Sequence, residues 1–153
     1  NGAASVWERW NSYTVEDGFG GNNSMNSFDH FSLGAIAEWM MRYQLGIDHD
    51  GLGWQRFVLA PVAGGSFTSA KGSFESPYGT VESGWEAEDG KMTGYACVVP
   101  ANTSATIYLP VDEDKAAAAK LPEGVDYVGM ETRNGLSCAR FEATSGTFAL
   151  SFS

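Results

Sequence analysis

The sequence has few basic residues and no long apolar run. Nine Lys and Arg stand against 19 Asp and Glu in 153 residues, which gives a formal net charge of −10. Such a surface repels nucleic-acid phosphates and anionic lipid headgroups, so we expect neither a nucleic-acid nor a membrane partner. No apolar run is long enough to span a bilayer. The N-terminus, Asn1-Gly2-Ala3-Ala4, is neither a start methionine nor a signal peptide, so we expect the chain to begin inside a longer or processed protein.

Cysteine is also scarce. Cys97 and Cys138 are too few for a disulfide framework, and both lie in strand-like runs. Two buried free thiols is the favoured interpretation, because free cysteine commonly packs as a small hydrophobe. A disulfide between the two is the alternative.

The motifs of common cofactor sites are missing as well. There is no Gly-rich phosphate loop ahead of a helix, no paired CxxC and no GxSxG, so we expect no cofactor. Asp48-His49-Asp50 offers metal-binding side chains, but adjacent residues in a turn seldom converge on one ion. We therefore expect a solvated polar turn there and no metal.

The first third of the chain contains one strong helical pattern. Residues 26–47 carry apolar side chains at three- and four-residue steps, which predicts one helix. One apolar row is Leu33, Ile36, Met40, Tyr43 and Ile47, and a second is Phe28, Phe31, Ala35 and Trp39. A helix that is apolar around much of its circumference needs cover on more than one side, which indicates an incomplete domain.

From residue 54 onward the apolar pattern changes to alternation, with Gly, Pro and Asn at the breaks. About eight short strands at near-regular spacing predict an antiparallel β-sandwich. They are 54–60, 67–74, 80–87, 91–99, 104–109, 126–131, 137–142 and 147–152. Residues 112–120 predict one or two helical turns in a connection.

Two places in the N-terminal segment could carry chemistry. Glu8 lies between Trp7 and Trp10, beside Arg9, and indole faces next to a carboxylate suit a sugar site. From these residues alone, a surface Glu–Arg pair with two core tryptophans is the favoured interpretation. His30, at the predicted helix start, is by itself more typical of a capping or packing group.

Longer strings resemble a known family. The segments NSFDHFSLGAIAEWMMRYQLGID, PVAGG (61–65), AKGSFESPYG (70–79) and PANTSATIYLP (100–110) are similar to the C-terminal end of bacterial α-L-rhamnosidases, glycoside hydrolase family 78. SVWERW (5–10) is similar to that family's WERW segment. The resemblance covers nearly the whole chain and thins out over 112–123.

The resemblance implies a fold and a division of the chain. We expect a mainly β protein, with an antiparallel β-sandwich at 50–153 preceded by a loop and one helix at 1–49. Those first 49 residues would be the end of an (α/α)6 toroid catalytic domain.

The resemblance also implies an activity and site residues. The activity is inverting hydrolysis that releases terminal α-L-rhamnose from glycans or glycosides. Glu8 would be the general base and His30 a rhamnose contact, while Trp7 and Trp10 would shape the sugar pocket. Nothing in residues 1–25 matches the family's general acid, so we expect this chain to be inactive alone.

Two rival functions and several properties stay open at this stage. One rival is a non-catalytic carbohydrate-binding sandwich, which would carry aromatics on an open sheet face; the other is an adhesion or interaction module with no sugar role. The bacterial periplasm, cell surface and cytoplasm are all compatible with the sequence. The uncovered helix at 26–47 favours a homodimer of this chain, with a helix that folds back over its own sandwich or partly unravels as the alternatives.

Overall fold

The computed structural model describes residues 2–20, 24 and 26–152 of the chain. They form two compact units, Asn1–Met40 and Met41–Ser153. No helix in the described part of the chain is long and apolar enough to cross a membrane.

The helix of the first unit is shorter than the sequence predicted. Helix α1 spans Phe31–Trp39, and a π-helical turn follows at Met40–Gln44. Residues 26–30 are not helical because their backbone groups pair elsewhere: Ser27 and His30 bond to the segment around Glu8. The predicted helix over 26–47 was therefore wrong at both ends.

Much of the apolar surface of α1 and of the turn that follows it is exposed. Phe31, Ile36, Trp39 and Met40 are each 45 to 84% exposed. The side chain of Leu33, which periodicity places on the first of the two apolar rows, lies outside the described part. Exposed apolar side chains of this number on one short helix are typical of a surface that another chain or segment covers.

The second unit is a two-layered sandwich. Its described strands are β1 Ile47–His49, β2 Arg56–Leu59, β3 Ser69–Ser76, β4 Gly79–Glu88, β5 Lys91–Val99, β6 Ser104–Leu109, β7 Val125–Arg133, β8 Leu136–Ala143 and β9 Gly146–Ser151. In the described part, one sheet has the order β1-β2-β6-β8-β7 and the other β3-β4-β5-β9. A short helix α2, Glu113–Ala118, lies between β6 and β7. The mainly β fold expected from the sequence is confirmed.

Two details of the sandwich differ from the expectation. Strand β1 was missed, because it is only three residues long and falls where a helix end and polar turn were predicted. Strands β2 and β6 pair in parallel, whereas the other pairs are antiparallel in the described part. The parallel pair arises because the chain leaves the first sheet after β2, forms β3 to β5 in the second sheet, and returns at β6.

The two cysteines are free and buried, so the disulfide alternative was wrong. Cys97 lies in β5 of one sheet and Cys138 in β8 of the other. Burial raises the pKa of the Cys97 thiol to about 12. This thiol is therefore protonated at neutral pH and behaves as a core side chain.

Candidate active site around Glu8

The segment around Glu8 is held against residues 27–30 by backbone hydrogen bonds. The Glu8 N–H donates to the Ser27 carbonyl and the His30 N–H donates to the Val6 carbonyl, each at 2.8 Å. The Ser5 hydroxyl adds a hydrogen bond to the Phe28 carbonyl. These bonds bring Glu8 and His30 together although they are far apart in sequence.

The carboxylate of Glu8 is oriented by one of these neighbours. Its Oε2 accepts the Ser27 backbone N–H at 2.8 Å, and its Oε1 lies 3.9 Å from Nε2 of His30. The side chains of Glu8 and His30 are 17% and 27% exposed. One carboxylate oxygen is thus fixed by the backbone, while the other faces the imidazole without a direct hydrogen bond.

His30 is fixed on its other side by packing. Its ring is nearly parallel to that of Phe31, with centroids 6.1 Å apart. Its Nδ1 is buried and has no hydrogen-bond partner in the described part of the chain. A buried donor without an acceptor costs more than a buried lone pair, which favours the tautomer with its proton on Nε2, facing Glu8.

The two tryptophans have different surroundings. Trp7 is half-buried, and its ring meets that of Phe28 edge to face with centroids 5.0 Å apart. Trp10 is fully exposed. Both line a pocket of about 550 Å³, together with Glu8 and with Ala3, Ser5, Val6 and Arg9. His30 is not among the residues that line this pocket.

Sequence reasoning missed Ser27 and Phe28 as part of the site. Both lay inside the predicted helix, and they act through a backbone N–H and a ring that supports Trp7. The serine at position 27 was a local sequence signal for a turn, and in the structure its hydroxyl accepts the Asp29 N–H at 3.3 Å. Such serine turns compete with helix formation.

The Asp48-His49-Asp50 segment is a polar surface feature. Asp48 accepts a hydrogen bond from Arg42 at 2.8 Å, and His49 Nδ1 lies 3.1 Å from the Gly51 carbonyl oxygen. The His49 side chain is 59% exposed. The described residues contain no group of three or more His, Cys, Asp and Glu that could hold a metal ion.

The aromatic side chains on the strands of the sandwich are buried or partly buried, whereas the exposed Phe67 and Tyr78 lie in the connections between strands. Trp85 and Tyr95 are buried in the second sheet, and the phenylalanines at positions 57, 141, 148 and 152 are buried as well. A sandwich that bound glycans by stacking would present such rings to solvent. Their burial favours a structural role for the sandwich over a carbohydrate-binding one.

Family models match both parts of the chain. The bacterial α-L-rhamnosidase C-terminal domain matches residues 46–123. The chain belongs to the bacterial α-L-rhamnosidase family. The six-hairpin glycosidase domain of bacterial α-L-rhamnosidases matches residues 1–44, the part that contains Glu8 and His30.

Individual relatives agree with this assignment. An α-L-rhamnosidase of Streptomyces avermitilis is 35% identical over 147 residues, and one of Formosa agariphila is 39% identical over 115 residues. These alignments cover 95% and 75% of this chain but only 13% and 12% of the relatives. The chain therefore spans about an eighth of their length.

Solved structures give the same result for the fold. The S. avermitilis α-L-rhamnosidase complexed with L-rhamnose matches 99% of this chain and 14% of that one, with a TM-score of 0.71 and 33% identity. An α-L-rhamnosidase from Aspergillus terreus matches 96% of this chain and 14% of that one, with a TM-score of 0.62 and 24% identity. The second likeness bears on the fold alone.

Proposed function

We propose that this chain is the C-terminal part of an inverting α-L-rhamnosidase that releases terminal α-L-rhamnose from rhamnose-containing glycans or glycosides. Residues 1–49 would be the end of its toroid catalytic domain and residues 50–153 its β-sandwich. The family match to the six-hairpin domain over residues 1–44 supports the first assignment. The buried aromatics of the sandwich support a structural role for the second.

Glu8 is the general base in this proposal. The observation that carries it is the orientation of the carboxylate, with Oε2 held by the Ser27 N–H and Oε1 turned towards His30. A carboxylate held in this way by its Oε2 atom is positioned to take a proton from a water molecule that attacks the sugar. The imidazole Nε2, 3.9 Å away, is close enough for a sugar hydroxyl to contact both groups.

In this proposal we expect the second carboxyl group to lie outside these 153 residues, because nothing in residues 1–25 resembles the family's general acid. Inverting hydrolysis needs an acid that protonates the leaving oxygen while the base activates water on the opposite face, with the two about 6.5–9.5 Å apart. Glu8 cannot do both at once. The chain alone therefore holds half of the catalytic pair, and we expect it to be inactive in isolation.

The sugar-binding residues in this proposal are His30, Trp7 and Trp10. Trp7, supported by Phe28, would form a fixed wall of the pocket. Trp10 has a free indole face in this chain, and aromatic faces stack on the apolar faces of sugar rings.

The stereochemistry of the reaction tests this proposal. A longer protein that contains this chain, incubated with an aryl α-L-rhamnoside, should first release β-L-rhamnose, because one displacement inverts the anomeric carbon. Proton NMR during the first minutes, before mutarotation, separates the two anomers. First release of the α anomer would contradict the inverting assignment, and no hydrolysis of any α-L-rhamnoside would contradict the substrate assignment.

We propose in addition that this chain associates with a second copy through its helix. The helix observed at residues 31–44, within the 26–47 segment first predicted, exposes Phe31, Ile36, Trp39, Met40 and Tyr43. A two-fold pairing of identical helices is the simplest closed arrangement that covers such a surface.

A further inference from the structure

The connection between the helix and the first strand is buried. Gln44, Leu45, Gly46 and Ile47 are all buried, although they form the junction where the two family matches meet. Connections between domains are usually exposed and polar. This one is part of the core of the second unit.

Two buried side chains of β4 bond to carbonyls at the end of the helix. The Trp85 ring N–H donates to the Gln44 carbonyl oxygen at 2.8 Å, and the Ser83 hydroxyl donates to the Leu45 carbonyl oxygen at 2.6 Å. The last carbonyls of a helix have no partner within the helix, so these bonds satisfy groups that burial would otherwise leave unpaired.

A third side chain completes this arrangement. Ser83 Oγ lies 3.0 Å from the Tyr95 hydroxyl. Since the single Ser83 proton goes to Leu45, Tyr95 is the donor in this pair. The chain of hydrogen bonds therefore has one direction, from β5 through β4 to the helix end.

Two glycines leave the space that residues 45–46 occupy. A Cβ on Gly72 of β3 would lie 2.4 Å from Cδ1 of Leu45, so the leucine side chain occupies the space that a larger residue would need. Gly46 has a φ of +71°, and a Cβ there would lie 2.1 Å from the Ala60 carbonyl carbon. Glycine is required at this position because of the positive φ and the close approach of the Ala60 backbone. The same approach lets the Gly46 carbonyl oxygen accept the Ala60 N–H at 2.9 Å.

We infer that the last helical turn, Met40–Gln44, is structurally part of the sandwich and not of the preceding α-helix. Four residues, Gly72, Ser83, Trp85 and Tyr95, hold the end of this turn and are called the clamp here. The joint with the preceding α-helix then lies at Met40, where the helix changes from α to π, and not in the connection at 45–47. The boundary between the two compact units, Met40/Met41, supports this position. The inference concerns the fold and does not depend on the rhamnosidase proposal.

Amide hydrogen exchange on this chain tests the inference. At submicromolar concentration, below the range of the expected self-association, residues 42–47 should exchange as slowly as the central strands of the sandwich. Residues 32–39 should exchange at least about tenfold faster, because they have little buried surface. Equal exchange of the two segments, or a step in protection at 45–47, would overturn the inference.

Paired glycine variants test the clamp itself. Gly72→Ala should displace Leu45 and speed exchange of residues 42–47 at least about tenfold relative to β7 and β8. Gly84→Ala is the matched control, because Gly84 lies on the neighbouring strand with Lys71 and Ala70 atoms at 3.3 to 3.4 Å from an added Cβ. Gly84→Ala should leave the exchange rate of residues 42–47 unchanged relative to that of β7 and β8.

A tryptophan variant keeps the test decisive if Gly72→Ala does not fold. Trp85→Phe removes the ring N–H and keeps an aromatic ring, so exchange at 42–47 should rise in the same selective way. Trp54→Phe, a substitution of a half-buried tryptophan that stacks on Phe74, is its control. Unchanged protection of 42–47 in Trp85→Phe, or an equal rise in both variants, would show that the clamp does not hold the helical turn.

Discussion

At the scale of residues, some members of the candidate site could be identified from the sequence and others only from the structure. The resemblance named Glu8 and His30, and the structure brings their side chains to 3.9 Å. Ser27 escaped sequence reasoning because it acts through its backbone N–H, which every residue except proline carries. The helical pattern also included residues 26–30, whose backbone is not helical and brings that N–H to the carboxylate.

The buried thiol of Cys97 predicts a specific dependence of stability on pH. Its folded pKa, about 12, is above the ordinary value of 9.0, because burial disfavours the thiolate. The unfolded chain loses this proton first as pH rises, so the stabilisation is complete below pH 9 and is lost from there towards pH 12. This one group should lower the free energy of unfolding by about 2 kcal/mol between pH 7 and pH 10.5. Burial also raises the pKa of Tyr95, which adds to the loss above pH 10.

Denaturant titrations at the two pH values measure this effect. Cys97→Ala should be less stable at pH 7, because it leaves a small cavity, yet its loss of stability at pH 10.5 should be smaller by about 2 kcal/mol. Val99→Ala, which leaves a small cavity on the same strand and retains the Cys97 thiol, is the control. An unchanged alkaline loss in Cys97→Ala would show that this thiol is not the group responsible.

At the scale of elements, alternation predicted the strands well and helical periodicity overestimated the helix. Long strands such as β4 and β5 have one face in the core, which gives the sequence a clear period of two. Strand β1 is too short to show a period and follows directly on the buried helix end. Residues 44–47, which include the apolar Leu45 and Ile47, continued the helical pattern, but they are buried in the second unit because the sandwich holds them.

The exposed helix predicts self-association. Light scattering at micromolar concentration should give about twice the mass of one chain, because Phe31, Ile36 and Trp39 can then be covered. Ile36→Glu should shift the chain to a monomer, since two charged side chains would face each other near the two-fold axis. Val15→Glu is the control, as Val15 is also exposed but lies in the loop before the helix. A wild-type chain that stays monomeric at these concentrations would contradict the proposed dimer.

At the scale of the whole molecule, the chain combines a sandwich that has its own core with an N-terminal unit whose residues 1–44 match the six-hairpin glycosidase domain. The first unit has an exposed helix and an oriented carboxylate. The domain boundary between residues 49 and 50, which the family resemblance implies, stays a prediction. The inferred end of the segment that the sandwich holds is a different position, Met40. Periodicity could not locate that position, because it depends on hydrogen bonds from Ser83 and Trp85, about 40 residues further along the chain.

The most direct test of the central claim is the turnover of an aryl α-L-rhamnoside by a longer protein that contains this chain. Glu8→Gln keeps the shape of the side chain and removes the base, so kcat should fall by about two to four powers of ten. Glu16→Gln, at an exposed carboxylate of the same loop, should leave kcat unchanged, and the 153-residue chain alone should show no turnover. An unchanged kcat in Glu8→Gln, or turnover by the isolated chain that Glu8→Gln abolishes, would contradict the account.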